Sequence, residues 1–396
     1  VEQYLELTSE KSSSFIFRLW SAIFAVGAAV ERRVWTETIN GNTYPNMFVV
    51  LVGPAGVGKT IAISPLETIL RKSRAVAISP NDVTKQGFLD ALAESSRGIL
   101  LDGKPYEYHY LAVIVRDLAN FMSKFDNALA GIMTDLFDCP PINAEQKRTH
   151  NNGKSIQNPG VSFLMGTTPE NLGNTISHEL WDTGFMARII LVYSDEKIRV
   201  KNLFAKPKDQ SDKEAALVAG FAKLATLKGP MEWEPDVQDA YNAFNQDPSV
   251  GAPSHNRLHQ YVTRRHFHLS KLAMIAALSD ASMTVTTEHL SRAFLWLTEA
   301  ESRMPEIFAA MVSHADGQVF EDMRMALFQM HMRTGGQGLP RSVIFKYLSA
   351  KVRSDSVQRV FDIALESDYI RRKAGTSGAE ELYVPQMGVS RNLRKI

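Results

Sequence analysis

The sequence predicts an α/β protein with a mostly parallel central sheet, followed by an all-helical unit and a small mixed unit at the C-terminal end. Three observations carry that prediction. Short, apolar, β-rich runs recur at 47–52, 110–115, 161–165 and 189–192 with helical patterns between them, which suits strands covered on both faces. A glycine-rich turn stands directly between the first run and a helical pattern that begins at Ile61. Past Lys206 the strand runs stop and helical spacing takes over.

At 396 residues the chain exceeds one ordinary core. Four segments are expected: an N-terminal helical piece over 1–46, the sheet core over 47–205, a helical unit over 206–314 and a last unit over 315–396. The net charge of +1, from 44 Lys+Arg against 43 Asp+Glu, gives no whole-chain attraction to nucleic acid, so any such contact must come from local basic patches. Cys139 is the only cysteine. That excludes an internal disulfide and a cysteine-rich zinc site, and makes a reducing, cytoplasmic location the default expectation. The most apolar stretch, 15–30, contains Arg18 and is shorter than the ~20 residues that cross a bilayer, so it reads as a buried helix and no membrane association is expected. It carries no signal-peptide cleavage pattern. Beginning at Val1 rather than methionine, the chain reads as a piece of something longer, with an upstream domain left open.

Helical spacing over 15–33 gives way to a turn through Gly41 and Pro45 that leads into the first strand. In the helical unit the pattern covers 215–227, 236–244, 262–278, 288–300 and 302–311. The last unit reads as a helix to about Arg333, a break over Gly335 to Gly338, helices at 342–351 and 355–366, and two short strands flanking Gly375 and Gly378. That order is a winged helix. Arg353, Arg359 and the wing residues Arg371, Arg372 and Lys373 would give it a basic face for a DNA groove, although such units also dock proteins.

Gly53-Pro54-Ala55-Gly56-Val57-Gly58-Lys59-Thr60 satisfies G-x-x-x-x-G-K-[ST] and sits after a strand and before the helical pattern from Ile61, as a P-loop must. Glycines let the backbone wrap so that its N–H groups point at phosphate oxygens. The helix N-terminus adds positive potential, Lys59 reaches the outer phosphates and Thr60 offers a hydroxyl to magnesium. The motif therefore implies ATP, or another nucleoside triphosphate, with Mg2+.

Such a site also needs a carboxylate at the end of a neighbouring strand to hold magnesium and, commonly, a second to polarise water. The run 111–115 ends on Arg116 and Asp117, so Asp117 is the metal or water residue and Arg116 stands where a paired acid is expected. Asp117 also reads as a helix N-cap ahead of 118–122. The 161–165 strand ends on Gly166-Thr167-Thr168-Pro169, at the carboxyl edge where ligands bind in open α/β folds. Thr168 either senses a terminal phosphate or caps the helix that Pro169 and Glu170 open.

Gln146 to Ser155 is polar, with Asn152-Gly153 as a hairpin turn. Lys147, Arg148, His150 and Lys154 around its tip form either a DNA-backbone contact or a solvated loop. Arg188 directly precedes the 189–192 strand, where an arginine can neutralise charge on a phosphoryl group in a neighbouring subunit's site. Arg264 and Arg265 open a helix of the helical unit and are candidates to touch nucleotide from a lid. Each of these arginines also reads as an ordinary surface residue.

Taken in order, the P-loop, acid-ending strand, basic hairpin, strand ending in a polar residue, arginine before a strand and helical unit resemble the AAA+ ATPases. They look most like the branch that includes the minichromosome maintenance helicases and the superfamily-three viral helicases. Met186-Ala187-Arg188-Ile189-Ile190-Leu191-Val192-Tyr193-Ser194-Asp195 is similar to the arginine-finger segment of the former, which implies a trans-acting role for Arg188. The same comparison puts Thr168 at the sensor-one position, usually asparagine, and the Lys154 hairpin where pore loops grip DNA. It also puts Arg116 where a Walker B aspartate is expected, leaving Asp117 at the glutamate position. Tyr44-Pro45-Asn46-Met47, with Arg265, His268, Leu269 and Lys271-Leu272-Ala273, also looks like a phage and prophage family of primase-helicase-like ATPases, a resemblance covering roughly Tyr44 to Met311.

The resemblance implies an AAA+-like P-loop NTPase core with a helical lid and a C-terminal winged helix. It further implies a homo-oligomeric, hexameric ring with single-stranded or forked DNA in its pore, and a primase or other replication protein as partner. Two functions are open on these residues. One is an ATP-driven DNA helicase or translocase in replication of a phage or mobile element. The other, favoured by Arg116, is an ATP-regulated loader or adaptor ring with weak hydrolysis.

Overall fold

The computed structural model describes residues 1–80, 85–101, 103–118, 127–141, 156–176, 178–181, 184–200, 210–311, 314–333, 335–352, 357–366, 369–373 and 381–385. The chain divides into two compact units, Val1–Ile307 and Phe308–Ile396.

In the first unit the apolar stretch forms the helix Phe15–Val30, and every residue from Leu19 to Val30 is buried, which is why that sequence is apolar all round. No helix among the described residues is long and apolar enough to cross a membrane. A hairpin of β1 (Val34–Thr38) and β2 (Gly41–Thr43) follows, where the sequence suggested only a turn. The chain then enters the sheet made of β3 (Phe48–Val52), β4 (Ser96–Leu101), β5 (Lys104–Val115), β6 (Pro159–Thr167) and β7 (Ile189–Tyr193), in the order β4-β5-β6-β3-β7. β3 lies between β6 and β7 and is parallel to both, and β5 is parallel to β6. β3, β6 and β7 are buried at every position.

Strand β5 is twice the length its apolar run suggests. Its first half, Lys104 to His109, pairs antiparallel with β4 across a turn in which Gly103 takes φ +75°, and the half-exposed, charged character of these residues hid the hairpin. Its second half is met on the same side by a parallel bridge from Ile78, with the Ala112 N–H donating to the Ala77 carbonyl at 2.8 Å.

The helices Ser211–Leu224, Pro235–Gln246, Arg265–Ser279 and Thr287–Ser302 were expected to form a separate all-helical domain, but they belong to the same unit as the sheet. The segment also contains short strands: β8 (Gly229–Pro230) extends the β1 edge, and β9 (Glu232–Trp233) pairs with β10 (Thr284–Val285). The reason for the merger is the helix Arg265–Ser279, which is buried from His268 through Leu278 and so has no face left to serve as a mobile boundary.

The second unit runs helix His314–Arg333, β11 (Leu339–Pro340), helices Arg341–Ser349 and Val357–Glu366, then β12 (Ile370–Arg372) and β13 (Leu382–Pro385). The strands pair antiparallel in the order β11-β13-β12 over a core that includes Leu327, Ile344, Leu348, Phe361 and Tyr383. Arg371 and Arg372 are exposed on β12, with Arg372 paired to Glu381 at 2.8 Å. Arg353 and the turn around Gly375 and Gly378 lie outside the described residues.

Candidate functional site at the carboxyl edge of the sheet

The glycine-rich loop leaves β3 at Val52 and enters the helix Lys59–Ser73. Gly56 and Gly58 have φ of +84° and +87°, a region other residues enter at a cost. Space enforces glycine as well. A Cβ on Gly53 would stand 2.2 Å from the Ser194 carbonyl oxygen, and one on Gly58 would stand 2.1 Å from that of Ser12. The N-terminal Ser12–Ser13 segment therefore lies directly against the loop. Val57 is fully buried beneath it, while Ala55, Gly56, Thr60 and Ile61 are exposed above and Pro54 is half-buried.

Lys59 folds back so that its ammonium donates to the carbonyls of Gly53 at 2.5 Å and Pro54 at 2.9 Å. Burial pushes its pKa down to about 8, and the nearby negative charges of Asp117 and Glu170 oppose that shift. The register shows why those acids are close. Val115 pairs with Met165, so Asp117 is level with Thr167, and Thr167 pairs with Val52 at the start of the loop. Asp117 thus stands at the carboxyl edge, one strand beyond β6, and is half-buried.

Arg116 does not face the loop. It reaches the helix Lys59–Ser73 and pairs with Glu67 at 3.3 Å, and Glu67 also accepts two hydrogen bonds from Arg71. Thr168 caps the helix Pro169–Thr175, its hydroxyl accepting the Asn171 N–H at 3.2 Å with Pro169 in the first turn. That cap sets Glu170 exposed in the first turn of the helix that follows β6, the strand adjacent to β3. Glu170 was passed over as a site residue because from sequence it looked like helix-opening polarity. Among the described residues no group of three or more His, Cys, Asp or Glu side chains could hold a metal ion. Magnesium bound with a nucleotide needs only one or two carboxylates beside the phosphates and water, so Thr60 and Asp117 suit it.

Arg188 lies at the other edge of the sheet. Ile189 pairs with Phe48, so Arg188 is level with Met47, six residues before Gly53 and roughly 20 Å from the loop at ~3.3 Å per residue. Its side chain is 6% exposed, donates to the Gly184 carbonyl at 2.7 Å and is paired with Asp138. Asp138 also accepts from Arg264 at 3.3 Å, so one carboxylate holds two guanidinium groups.

Arg265 corrects the expectation of a nucleotide contact. It is fully buried and bonded to both carboxylate oxygens of Glu301 at 2.7 Å, and it also donates to the carbonyls of Pro248 and Val250, which leaves no face for a ligand. Arg264 is partly exposed but is placed beside Arg188 and Asp138 rather than beside the loop.

The residues that prompted the phage-family resemblance meet here. Lys271 donates to the Tyr44 carbonyl at 2.8 Å and to Asn46 Oδ1 at 2.5 Å, while the Asn46 amide donates to the carbonyls of Phe137 and Val161. His268 Nε2 donates to the Ala187 carbonyl at 2.9 Å. These contacts bolt the helix Arg265–Ser279 to the amino edge of the sheet. The basic residues Lys147, Arg148, His150 and Lys154 lie outside the described residues.

Neither the protein-family models nor the curated proteins include a match to this chain.

Proposed function

We propose that the chain is an ATP-binding P-loop ATPase of the AAA+ kind that works as a homo-oligomeric ring on DNA, as a helicase or translocase. The observation that carries this reading is the loop itself: backbone glycines with positive φ, between a fully buried strand and a helix N-terminus, with Lys59 folded onto the loop's own carbonyls. An ammonium held only by neutral oxygens of its own loop is available to an incoming phosphate. In this reading Lys59 neutralises the outer phosphates, and Thr60 and Asp117 hold the magnesium, which supplies further charge neutralisation. Glu170 is the further acid within the field of Lys59.

Arg188 cannot serve its own loop across roughly 20 Å of sheet. The phosphate it would meet belongs to a neighbouring copy, and this favours a ring, taken here as a hexamer. The helix–strand–helix–helix–strand–strand order of the second unit suits a winged helix, and exposed Arg371 and Arg372 suit a DNA contact.

A second reading, a loader or adaptor ring that binds ATP and hydrolyses it weakly, is favoured by the engagement of Arg116 with Glu67 where a paired acid would polarise water. ATP hydrolysis with and without single-stranded DNA, on the wild-type chain and on Lys59→Ala, separates the two when particle size is followed in parallel. DNA-stimulated, Lys59-dependent turnover with ATP-driven assembly supports the motor. Assembly without Lys59-dependent turnover supports the adaptor, and absence of nucleotide binding sinks both.

A further inference from the structure

Away from the glycine loop, a cavity of about 770 Å3 opens where the β1–β2 hairpin meets β9 and the helix Pro235–Gln246. Its size is that of a binding site rather than a packing defect. Its aromatic wall is fixed in place: the Trp233 and Tyr241 rings are 5.4 Å apart, Trp233 Nε1 donates to Thr36 Oγ1 at 3.0 Å and the Gln238 amide donates to the Trp233 carbonyl at 2.8 Å. Phe267 also lines the cavity. The charges are one-sided. Glu37 and Glu232 line the cavity, both exposed, and among the described residues no lysine or arginine does. His266 also lines it, and burial together with Arg264 holds its pKa below the ordinary value, so it adds no positive charge at neutral pH.

The cavity also faces an open strand edge. The Arg33 and Trp35 carbonyls accept from Gly229 at 2.8 Å and Met231 at 2.7 Å, so these alternate residues point away from β2. Glu37 is next in that alternation, but the chain past Met231 has already turned off, with the Glu232 N–H bonded to the Met283 carbonyl at 3.0 Å. The Glu37 N–H and carbonyl therefore continue the edge without a partner among the described residues. Beside them Ile39 projects fully exposed from the hairpin tip.

We propose that this cavity binds an extended basic peptide segment of a partner protein, whose backbone pairs with Glu37 and whose arginine or lysine side chain lies against the Trp233–Tyr241 wall between the two glutamates. Main-chain pairing at a sheet edge supplies the register, and cation–π attraction with carboxylate pairing selects the basic side chain. Nucleic acid is disfavoured here because its phosphates carry the same sign as Glu37 and Glu232. The site is independent of the ATPase reading.

The test is fluorescence anisotropy on the full chain with a short dye-labelled peptide alternating arginine and valine. Comparison probes are the glutamate–valine peptide and an arginine–valine peptide N-methylated at alternate amides, with a dye-labelled single-stranded oligonucleotide titrated separately. The double variant Glu37→Gln, Glu232→Gln changes two exposed side chains and should keep the fold, which circular dichroism checks. We expect the arginine–valine peptide to bind, and to lose ~10-fold or more in affinity on the double variant and again on N-methylation, with the oligonucleotide's own affinity not lowered on the double variant. No binding to the wild-type chain, equal affinity for the double variant, indifference to N-methylation, or an oligonucleotide affinity that falls with the peptide's on the double variant would each overturn the proposal.

Discussion

The two edges of the central sheet use charged residues in opposite ways. At the carboxyl edge Lys59 is held by two backbone carbonyls of its own loop, and Thr60 and Glu170 are exposed. At the amino edge the cations are committed: Arg265 to Glu301, Lys271 to Tyr44 and Asn46, Arg188 and Arg264 to Asp138. A charge paired with distant parts of the chain is glue, because removing one partner strands the other in low dielectric. A charge hydrogen-bonded only to adjacent backbone strands no distant partner when it is removed. Arg188 falls between the two cases. It is buried, but its partner Asp138 is about half exposed, so a competing anion can reach the pair.

If this contrast is right, the largest stability effect belongs to the amino edge. Glu301→Leu should cost about 3–5 kcal/mol in urea unfolding, because Arg265 would be left buried and unpaired, and a cost under about 1 kcal/mol would break the comparison. Next comes Lys59→Ala, which on the proposed ATPase reading should lower ATP turnover by roughly 100-fold while leaving the melting temperature unchanged or slightly raised. The sign follows from a lysine whose folded pKa, about 8, lies below its ordinary value: the charged form is disfavoured by folding. For the same reason nucleotide affinity should strengthen as pH falls through about 8 and Lys59 gains its proton. Titration calorimetry across that range checks it.

Much of the carboxyl edge was legible in the sequence because its chemistry is local. The glycines, lysine and threonine from Gly53 to Thr60 stand within eight consecutive positions, and the structure has them in one loop between β3 and the helix Lys59–Ser73, with positive φ at Gly56 and Gly58. The amino edge was not legible, because its bonds join residues far apart in the chain, such as Asn46 with Lys271 and Arg265 with Glu301. Arg265 looked like a nucleotide contact because no local pattern announces a buried partner one helix away. Arg116 was puzzling for the same reason, its partner Glu67 being on the helix after the loop. The β4–β5 hairpin was missed because half-exposed strands with charged residues lack the apolar run that marks β3, β6 and β7. Each strand of that second kind was placed to within a few residues.

The amino edge should also govern the response to acid. Burial depresses His268 to about 3, and it donates from Nε2 to the Ala187 carbonyl as a neutral ring. In the unfolded chain it would take up a proton near its ordinary value of ~6.5. Below that value the unfolded state binds the proton and the folded state does not, so stability falls as pH falls. The slope from this group alone reaches at most about 1.4 kcal/mol per pH unit between about pH 6 and about pH 4. His268→Gln should flatten the melting temperature against pH over that window, and an unchanged slope would assign the acid response elsewhere.

The smallest effect sharpens the comparison most, because it concerns a charged residue at the carboxyl edge that does have a distant partner. Arg116 is about half exposed, and its contact with Glu67 at 3.3 Å is longer than the contacts Arg71 makes to the same carboxylate. An exposed guanidinium in such a pair contributes little, so Arg116→Ala should cost no more than about 1 kcal/mol in urea unfolding. Arg116→Asp should cost more than the alanine variant, since a new carboxylate would face Glu67, which is itself buried. The alanine variant therefore tests function cleanly. If it leaves turnover unchanged, Arg116 is structural trim on the helix after the loop. If turnover rises with stability intact, the Arg116–Glu67 pair restrains the end of β5, and the weak-hydrolysis reading gains a physical cause.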